Sequence, residues 1–180
     1  TIGGAAVTVA RVDLTGPDGF LIASPRADTG AVRTALLEAG AVAVGPDAVE
    51  SARIERGWPL FGRDISQANL PQEVARDERA INLNKGCYLG QETVARIDAL
   101  GHVNRRLVGV QFSGEAIPAA GTELLADDKN VGKVTSAAWS PRLDAPLSLA
   151  YVRRGHDAPG TDLETSYGAA TVVALPAADA

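Results

Sequence analysis

The feature that most constrains the fold is a succession of short, strand-like segments in the C-terminal part of the chain. Val108–Phe112 alternates in hydropathy, and similar segments follow over residues 122–126, 131–139, 147–152 and 170–175. Turn-forming stretches such as Asp127–Asn130 and Asp157–Gly160 separate them. Short strands at this spacing are typical of small antiparallel barrels and sandwiches. We therefore predict a small antiparallel β-barrel over residues 103–180.

Residues 1–102 combine strand and helix signals instead. The predicted elements are a hairpin over 5–24, a helix from 28 or 29 to 39, a strand over 41–44, and helices over 46–57, 72–79 and 92–98. Thr15–Gly19 supplies the turn of the hairpin, and Pro46 suits the first position of a helix. This order predicts an α+β domain in which helices cover one face of a small antiparallel sheet.

Charge and hydropathy exclude two classes of partner. The net charge of −5 and the scattered basic residues argue against nucleic-acid binding, which needs a dense basic surface. No run approaches the ~18 apolar residues that span a bilayer, and no secretory signal opens the chain. A single cysteine rules out an intrachain disulfide. These features predict a protein of a reducing compartment, the cytoplasm.

The metal-binding residue types are too few for a metal site. Cys87 is the only cysteine, and the two histidines, His102 and His156, are isolated from it and from each other. Iron–sulfur clusters usually require four ligands, so this chain alone does not supply them. The chain has no methionine and opens at Thr1–Gly4, which is more typical of the middle of a protein than of its start. We interpret it as a fragment or a processed product.

The segment Lys85–Glu92 is the candidate functional centre. Gly86 and Gly90 flank Cys87, which leaves room for a ligand or another backbone to approach. The cation of Lys85 and the amides of a helix that starts near Gly90 would both favour the thiolate. The alternative is that Cys87 is a small buried apolar residue and that the glycines only form a turn. Spacing alone leaves both interpretations open.

A family resemblance favours the first interpretation. Lys-Gly-Cys-Tyr-x-Gly-Gln-Glu, present from Lys85 to Glu92, resembles the signature of the YgfZ family. These are folate-binding proteins implicated in the assembly or repair of iron–sulfur enzymes. Further segments are similar to the related glycine-cleavage T-proteins, namely Leu14–Phe20, Ser51–Gly57, Leu60–Asp64 and Gly132–Ser136. The resemblance covers most of the chain and lacks the N-terminal part of the family fold.

The resemblance implies a cofactor, partners and site residues. It implies tetrahydrofolate or a derivative as cofactor, and iron–sulfur enzymes or assembly proteins as partners. Cys87 would be the functional thiol. The implied folate-binding residues are Arg53, Lys85, Gly86, Tyr88, Gly90, Gln91 and Glu92. For Arg53 the alternative is a helix-surface arginine that packs its aliphatic stem.

Two departures from the T-protein pattern argue against aminomethyl transfer. T-proteins carry an acidic residue that contacts the pterin where this chain has Leu21, and a tyrosine where it has Leu14. A leucine cannot accept the hydrogen bonds that a carboxylate accepts from a pterin. The preferred hypothesis is therefore a YgfZ-like protein of iron–sulfur maintenance. The alternatives are a folate-dependent aminomethyltransferase and a binding module without chemistry.

Overall fold

The N-terminal part of the protein is a small hairpin followed by short helices. The computed structural model describes residues 1–16 and 18–177. Its first elements are strands β1 (Thr8–Arg11) and β2 (Phe20–Ala23), a 3-10 helix (Arg26–Asp28), helices α1 (Thr29–Glu38) and α2 (Pro46–Glu55), a 3-10 helix (Pro71–Val74), and helices α3 (Asp77–Ala80) and α4 (Gln91–Leu100). β1 and β2 pair antiparallel, with Thr8 opposite Ala23. Within the described residues, no helix is both long and apolar enough to cross a membrane.

The C-terminal part is a closed antiparallel barrel, as predicted. Its strands are β3 (Arg105–Phe112), β4 (Glu123–Ala126), β5 (Lys129–Ser140), β6 (Ala145–Arg153), β7 (Asp162–Thr165) and β8 (Gly168–Val173). They close in the order β3-β6-β5-β4-β7-β8. Val110, Phe112, Leu124 and Val152, all at most 1% exposed, lie in the cluster that fills the barrel. Together with the hairpin and helices, this confirms the predicted α+β class followed by a β-barrel.

Helix α2 packs against the outside of the barrel. Ile54 on α2 lies in one buried cluster with Leu147 and Leu149 of β6 and Leu107 of β3. The alternate residues of β6, such as Val152, belong to the cluster inside the barrel. β6 is therefore buried on both faces over eight of its nine residues. This packing joins the α+β part to the barrel.

Two predicted elements differ from the structure, and one strand was missed. Residues 41–44 form no strand, because the N-terminal sheet of the described residues contains only β1 and β2 and offers their backbone no pairing partner. Val42 and Val44 are exposed. The predicted exposed helix over 72–79 is a 3-10 helix followed by α3, and Gln72 and Glu73 are buried. Strand β7 was not predicted, because its four residues alternate too briefly to give a pattern.

Tyr151 provides a stability test of the interface between the two parts. Among the described residues, its Oη atom is buried without a hydrogen-bond partner, and burial raises the pKa of Tyr151 to about 12. The ring also packs under Arg105, whose guanidinium lies 4.9 Å from the ring centroid. We expect Tyr151→Phe to stabilise the protein by about 1 kcal/mol in urea unfolding, since a buried unpaired hydroxyl is costly.

The matched control for this substitution is Tyr167→Phe. The hydroxyl of Tyr167 accepts a hydrogen bond from the Ala119 amide at 3.3 Å, so its removal is expected to be neutral or mildly destabilising. A loss of stability in Tyr151→Phe equal to that in Tyr167→Phe would contradict the prediction.

Candidate functional site

The motif Lys85–Glu92 forms an exposed loop that leads into helix α4. Gly90 has φ of +87°, a left-handed conformation that glycine adopts readily, and it is the residue immediately before α4. Gln91 stabilises the turn, because its Oε1 accepts a hydrogen bond from the Tyr88 amide at 3.1 Å. The predicted helix start near Gly90 is thus confirmed. The helix runs two residues beyond the predicted end at 98.

The thiol of Cys87 is free and exposed. The interpretation of Cys87 as a small buried apolar residue is therefore wrong. Lys85 places its Nζ 4.1 Å from the centroid of the Tyr88 ring, a cation–π contact that spans the cysteine. Leu89 is fully exposed as well, at 103% of its reference area. The arrangement leaves the sulfur accessible to a macromolecular partner as well as to a small molecule.

Arg53 is buried in a network of charged and polar groups. Only 1% of the residue is exposed. Its Nε and Nη2 donate to both carboxylate oxygens of Glu50 at 2.7 and 2.5 Å, and its Nη1 donates to the Trp58 carbonyl and to Asp64 Oδ2, both at 2.9 Å. Arg53 thus lies in the interior and not on the helix surface. Its contact with folate stays a prediction.

Asp64 extends this network to the barrel. Its side chain is 0% exposed. Oδ2 also accepts the Leu60 amide at 2.9 Å, and Oδ1 accepts the hydroxyls of Thr135 and Ser136, both at 2.6 Å. Side chains of successive strand residues normally point to opposite faces. The two hydroxyls reach one carboxylate because β5 has a bulge between Val134 and Ser136.

Sequence reasoning did not assign a role to Asp64. The residue lies in the segment Leu60–Asp64, which resembles the T-proteins, and that resemblance was the only signal. Nothing in the sequence pattern shows that a carboxylate in a loop meets hydroxyls of a strand some seventy positions later. The network is the polar centre of the contact between the α+β part and the barrel.

A second charged cluster borders a large cavity. The cavity, of about 570 Å³, lies between the loop around α3 and strands β3 and β8. Three of its lining residues are Arg56, Arg76 and Arg79. Arg56 donates Nε and Nη2 to the two carboxylate oxygens of Asp13, both at 2.6 Å, and Arg79 also pairs with Asp13. Arg76 stacks over Trp58, with its guanidinium carbon 4.5 Å from the ring centroid.

The Asp13 cluster predicts an acid-dependent step in stability. The hydrogen bond from Arg56, aided by Arg79, lowers the pKa of Asp13 from 3.8 to about 2. A depressed pKa stabilises the folded state above the unfolded value and loses that contribution as the pH falls toward the folded value. We expect Asp13→Asn to flatten the pH dependence of stability between about pH 4 and 2, measured by chemical unfolding at each pH. Identical slopes in both proteins would contradict this assignment.

Comparison with known proteins accounts for both parts of the chain. Residues 1–85 match the family described as the GCVT N-terminal domain, and residues 105–179 match the glycine cleavage T-protein C-terminal barrel domain. The chain belongs to the T-protein-like superfamily.

Individual T-protein relatives agree with this assignment. The aminomethyltransferase of Streptomyces avermitilis is 36% identical over 188 aligned residues, which cover 98% of this chain and 50% of that protein. The aminomethyltransferase of Thermus thermophilus is 35% identical over an alignment that covers 88% of this chain and 43% of that protein. The crystal structure of the Bartonella henselae glycine cleavage system aminomethyltransferase T superposes with a TM-score of 0.83 at 29% identity, covering 93% of this chain and 48% of that one. The chain thus spans about half the length of the relatives it matches.

The structure places two positions that are expected to contact folate in a T-protein. Leu21, at the position expected for the acidic residue, lies on β2 with 57% of its area exposed. Its side chain has no acceptor for a pterin. Arg53 directs its guanidinium at Glu50, Trp58 and Asp64. Leu21 thus offers a pterin no acceptor, and the folate contact of Arg53 stays a prediction.

Proposed function

We propose that this protein is a YgfZ-type tetrahydrofolate-binding protein that acts in the assembly or repair of iron–sulfur clusters in the cytoplasm. The observation that carries the proposal is the free, exposed thiol of Cys87 within the motif Lys85–Glu92. Every defined position of the motif is matched. Reactive cysteines are accessible, as Cys87 is, and Lys85 lies two residues before it in the motif.

The proposed role of the thiolate is to ligate cluster iron or to exchange with a disulfide. In the first case Cys87 supplies one ligand, and the others come from a partner protein, because this chain has a single cysteine and clusters usually take four ligands. In the second case the thiolate attacks one sulfur of a small disulfide, and the other sulfur leaves as a thiolate. Both cases require that a partner reach Cys87, and the exposed loop allows this.

Replacement of Cys87 tests the proposal in cells. We expect Cys87→Ala to lower the activity of cluster-dependent enzymes several-fold under oxidative stress, measured in cells that depend on the protein carrying this chain. Leu89→Ala is the matched control, since Leu89 is also exposed in the same loop but occupies the undefined motif position. Unchanged enzyme activity in the Cys87→Ala cells would refute the role of the thiol.

Folate binding is a separate part of the proposal. The relatives in the T-protein superfamily support a folate-related role. The proposed folate-binding residues are Arg53, Lys85, Gly86, Tyr88, Gly90, Gln91 and Glu92, and Leu21 offers a pterin no acceptor. Calorimetric titration with tetrahydrofolate, repeated on Glu92→Ala, tests the assignment. Heat of binding that is the same in both proteins would exclude Glu92.

Aminomethyl transfer is the second candidate function. It is favoured by the relatives at 35–37% identity that are named aminomethyltransferase. Leu14 and Leu21, which replace the tyrosine and the acidic residue of the T-protein pattern, count against it. An assay for methylene-tetrahydrofolate formation from an aminomethyl carrier decides between the two. Sustained turnover that survives Cys87→Ala would replace the iron–sulfur proposal with this one.

A further inference from the structure

The cavity of about 570 Å³ beside α3 is separate from the thiol loop. Its volume lies within the usual range for small-molecule sites. Part of its wall is apolar, and Val108, Val173 and Leu175 in that part are partly exposed. Among the described residues, none that lines the cavity belongs to the motif Lys85–Glu92. A ligand in the cavity would therefore not contact Cys87.

Three arginines of the lining share one carboxylate. Arg56, Arg76 and Arg79 form this arginine cluster. Within the described residues, Arg56 and Arg79 form their ion pairs with Asp13 alone, and Arg76 forms none. Asp13 stays ionised at neutral pH, because the hydrogen bond from Arg56 lowers its pKa to about 2. Three guanidiniums against one carboxylate leave a surplus of two positive charges.

Like charges are held close together in the arginine cluster. Burial lowers the pKa of Arg76, and the charge of Arg79 lowers it further. The charge of Asp13 acts in the opposite direction, and that of Arg56 adds to the decrease in the pKa of Arg76. Arginine stays protonated in proteins, so the repulsion is a cost that the folded protein bears. An anion bound beside Arg76 would reduce this cost.

The other charged residues of the lining do not neutralise the arginine cluster at contact distance. Burial raises the pKa of Asp77, while Arg106, the fourth arginine of the lining, acts in the opposite direction; both residues also line a smaller neighbouring cavity. Asp157 accepts the Gly155 amide through Oδ1 at 3.0 Å. Glu78 is exposed and, in the described part of the chain, forms no ion pair with the cluster. The surplus charge of the cluster therefore remains in place.

Free donors remain on two arginines of the cluster. Arg76 donates Nη1 to the Gly57 carbonyl at 3.0 Å, and among the described residues its Nε and Nη2 donate to no acceptor. Its guanidinium stacks over Trp58, which fixes the plane of the group. Toward the described residues, Arg79 uses only Nη1, which donates to Asp13. Arg76 is partly exposed and 48% of the Arg79 side chain is exposed, so a ligand from solvent can reach both.

We propose that the arginine cluster binds the phosphate group of a small phosphate monoester, whose apolar body contacts Val173 and Leu175. A phosphate monoester carries a charge of about −1.5 to −2 at neutral pH, which matches the surplus of the cluster. A planar guanidinium donates two parallel hydrogen bonds to phosphate oxygens, and Arg76 has Nε and Nη2 available for such a pair. The proposal does not depend on the proposed function.

Titration of the isotope-labelled protein with phenyl phosphate tests the proposal by NMR. We expect shifts at the backbone amides of Gly109 and Val173, which line the cavity, and none at Val103, which lines only the smaller neighbouring cavity. Phenol has the same ring without the charge, and we expect it to bind at least about tenfold more weakly. Shifts at Val103 alone, no shifts, or equal affinity for both probes would overturn the proposal.

Substitution of one arginine provides the second measurement. Arg79→Gln is expected to weaken phenyl phosphate binding at least about fivefold, because it removes one charge of the cluster. Arg63→Gln is the matched control, since Arg63 is 50% exposed and shares its carboxylate with a second arginine, as Arg79 does, but lies outside the cavity lining.

The control variant Arg63→Gln is expected to change the affinity by less than about twofold, because distant surface charges are screened by salt. Equal affinities in the two variants would overturn the proposal. If Arg79→Gln does not fold, the comparison of the two probes on the unaltered protein decides alone.

Discussion

Replacement of Asp64 by alanine is expected to destabilise the protein by about 3–5 kcal/mol, because it breaks the fully buried ion pair with Arg53 and leaves that guanidinium to Glu50 alone. The substitution also removes the acceptor of the Thr135 and Ser136 hydroxyls and of the Leu60 amide. The Ser136 hydroxyl and the Leu60 amide then lose the acceptor described for them, which adds to the cost, whereas the Thr135 hydroxyl keeps the Leu149 carbonyl at 3.0 Å. Urea unfolding followed by circular dichroism measures the loss.

The matched control for Asp64 is another ion pair of the same network. Arg63 contacts Glu50 at 3.0 Å, but half of its side chain is exposed. We expect Arg63→Ala to cost less than about 1 kcal/mol, as exposed ion pairs do. A double substitution of Arg53→Met with Asp64→Asn is expected to cost less than the sum of the two single changes, since it removes both charges together. Strict additivity would show that the two side chains do not interact.

Truncation of Ile54 is expected to cost about 2–5 kcal/mol, the usual range for a fully buried isoleucine changed to alanine. Ile54 is 1% exposed and lies among Leu107, Leu147 and Leu149 on the outside of the barrel. The barrel strands are held in place by their hydrogen bonds, so they cannot close the gap completely. The cavity left behind therefore adds to the lost hydrophobic transfer energy.

Two further variants separate packing at Ile54 from helix propensity. Ile54→Val removes one methylene and is expected to cost about 0.5–1.5 kcal/mol. Val49→Ala lies on the same helix, but Val49 is 38% exposed, so we expect a loss below about 1 kcal/mol. The order Ile54→Ala, Ile54→Val, Val49→Ala is the predicted ranking in thermal unfolding. Equal effects at positions 49 and 54 would show that α2 does not dock on the barrel as described.

The barrel was predictable because its signal is local and repeated. Alternation in segments such as Val108–Phe112 reports which side chains face inward, and the turn residues between segments report where each strand ends. β7 was missed because its four residues are too few to show a pattern. β6 proved longer than predicted because it is buried on both faces and does not alternate. The second buried face depends on α2, and no local pattern records which helix covers a strand.

Short elements of the N-terminal part were less predictable. Residues 41–44 have the composition of a strand, but a strand needs a partner, and the hairpin of β1 and β2 does not extend to them. Gln72 and Glu73 look like surface residues in sequence. They are buried because Gln72 donates to Val94 and Glu73 accepts two hydrogen bonds from Arg105 at 3.1 Å. Polar residues can be buried when distant residues supply their hydrogen-bond partners, and a local sequence pattern does not show this.

Some features of the candidate site were likewise predictable from the sequence, and others appear only in the structure. The motif Lys85–Glu92, its single thiol and the helix start near Gly90 follow from local residue types and were visible in the sequence. The exposure of Cys87, the burial of Arg53 with Asp64, and the arginine cluster at Asp13 appear only in the folded protein. Whether a side chain is accessible or has a partner depends on residues far away in the chain, and only the tertiary structure brings those residues together.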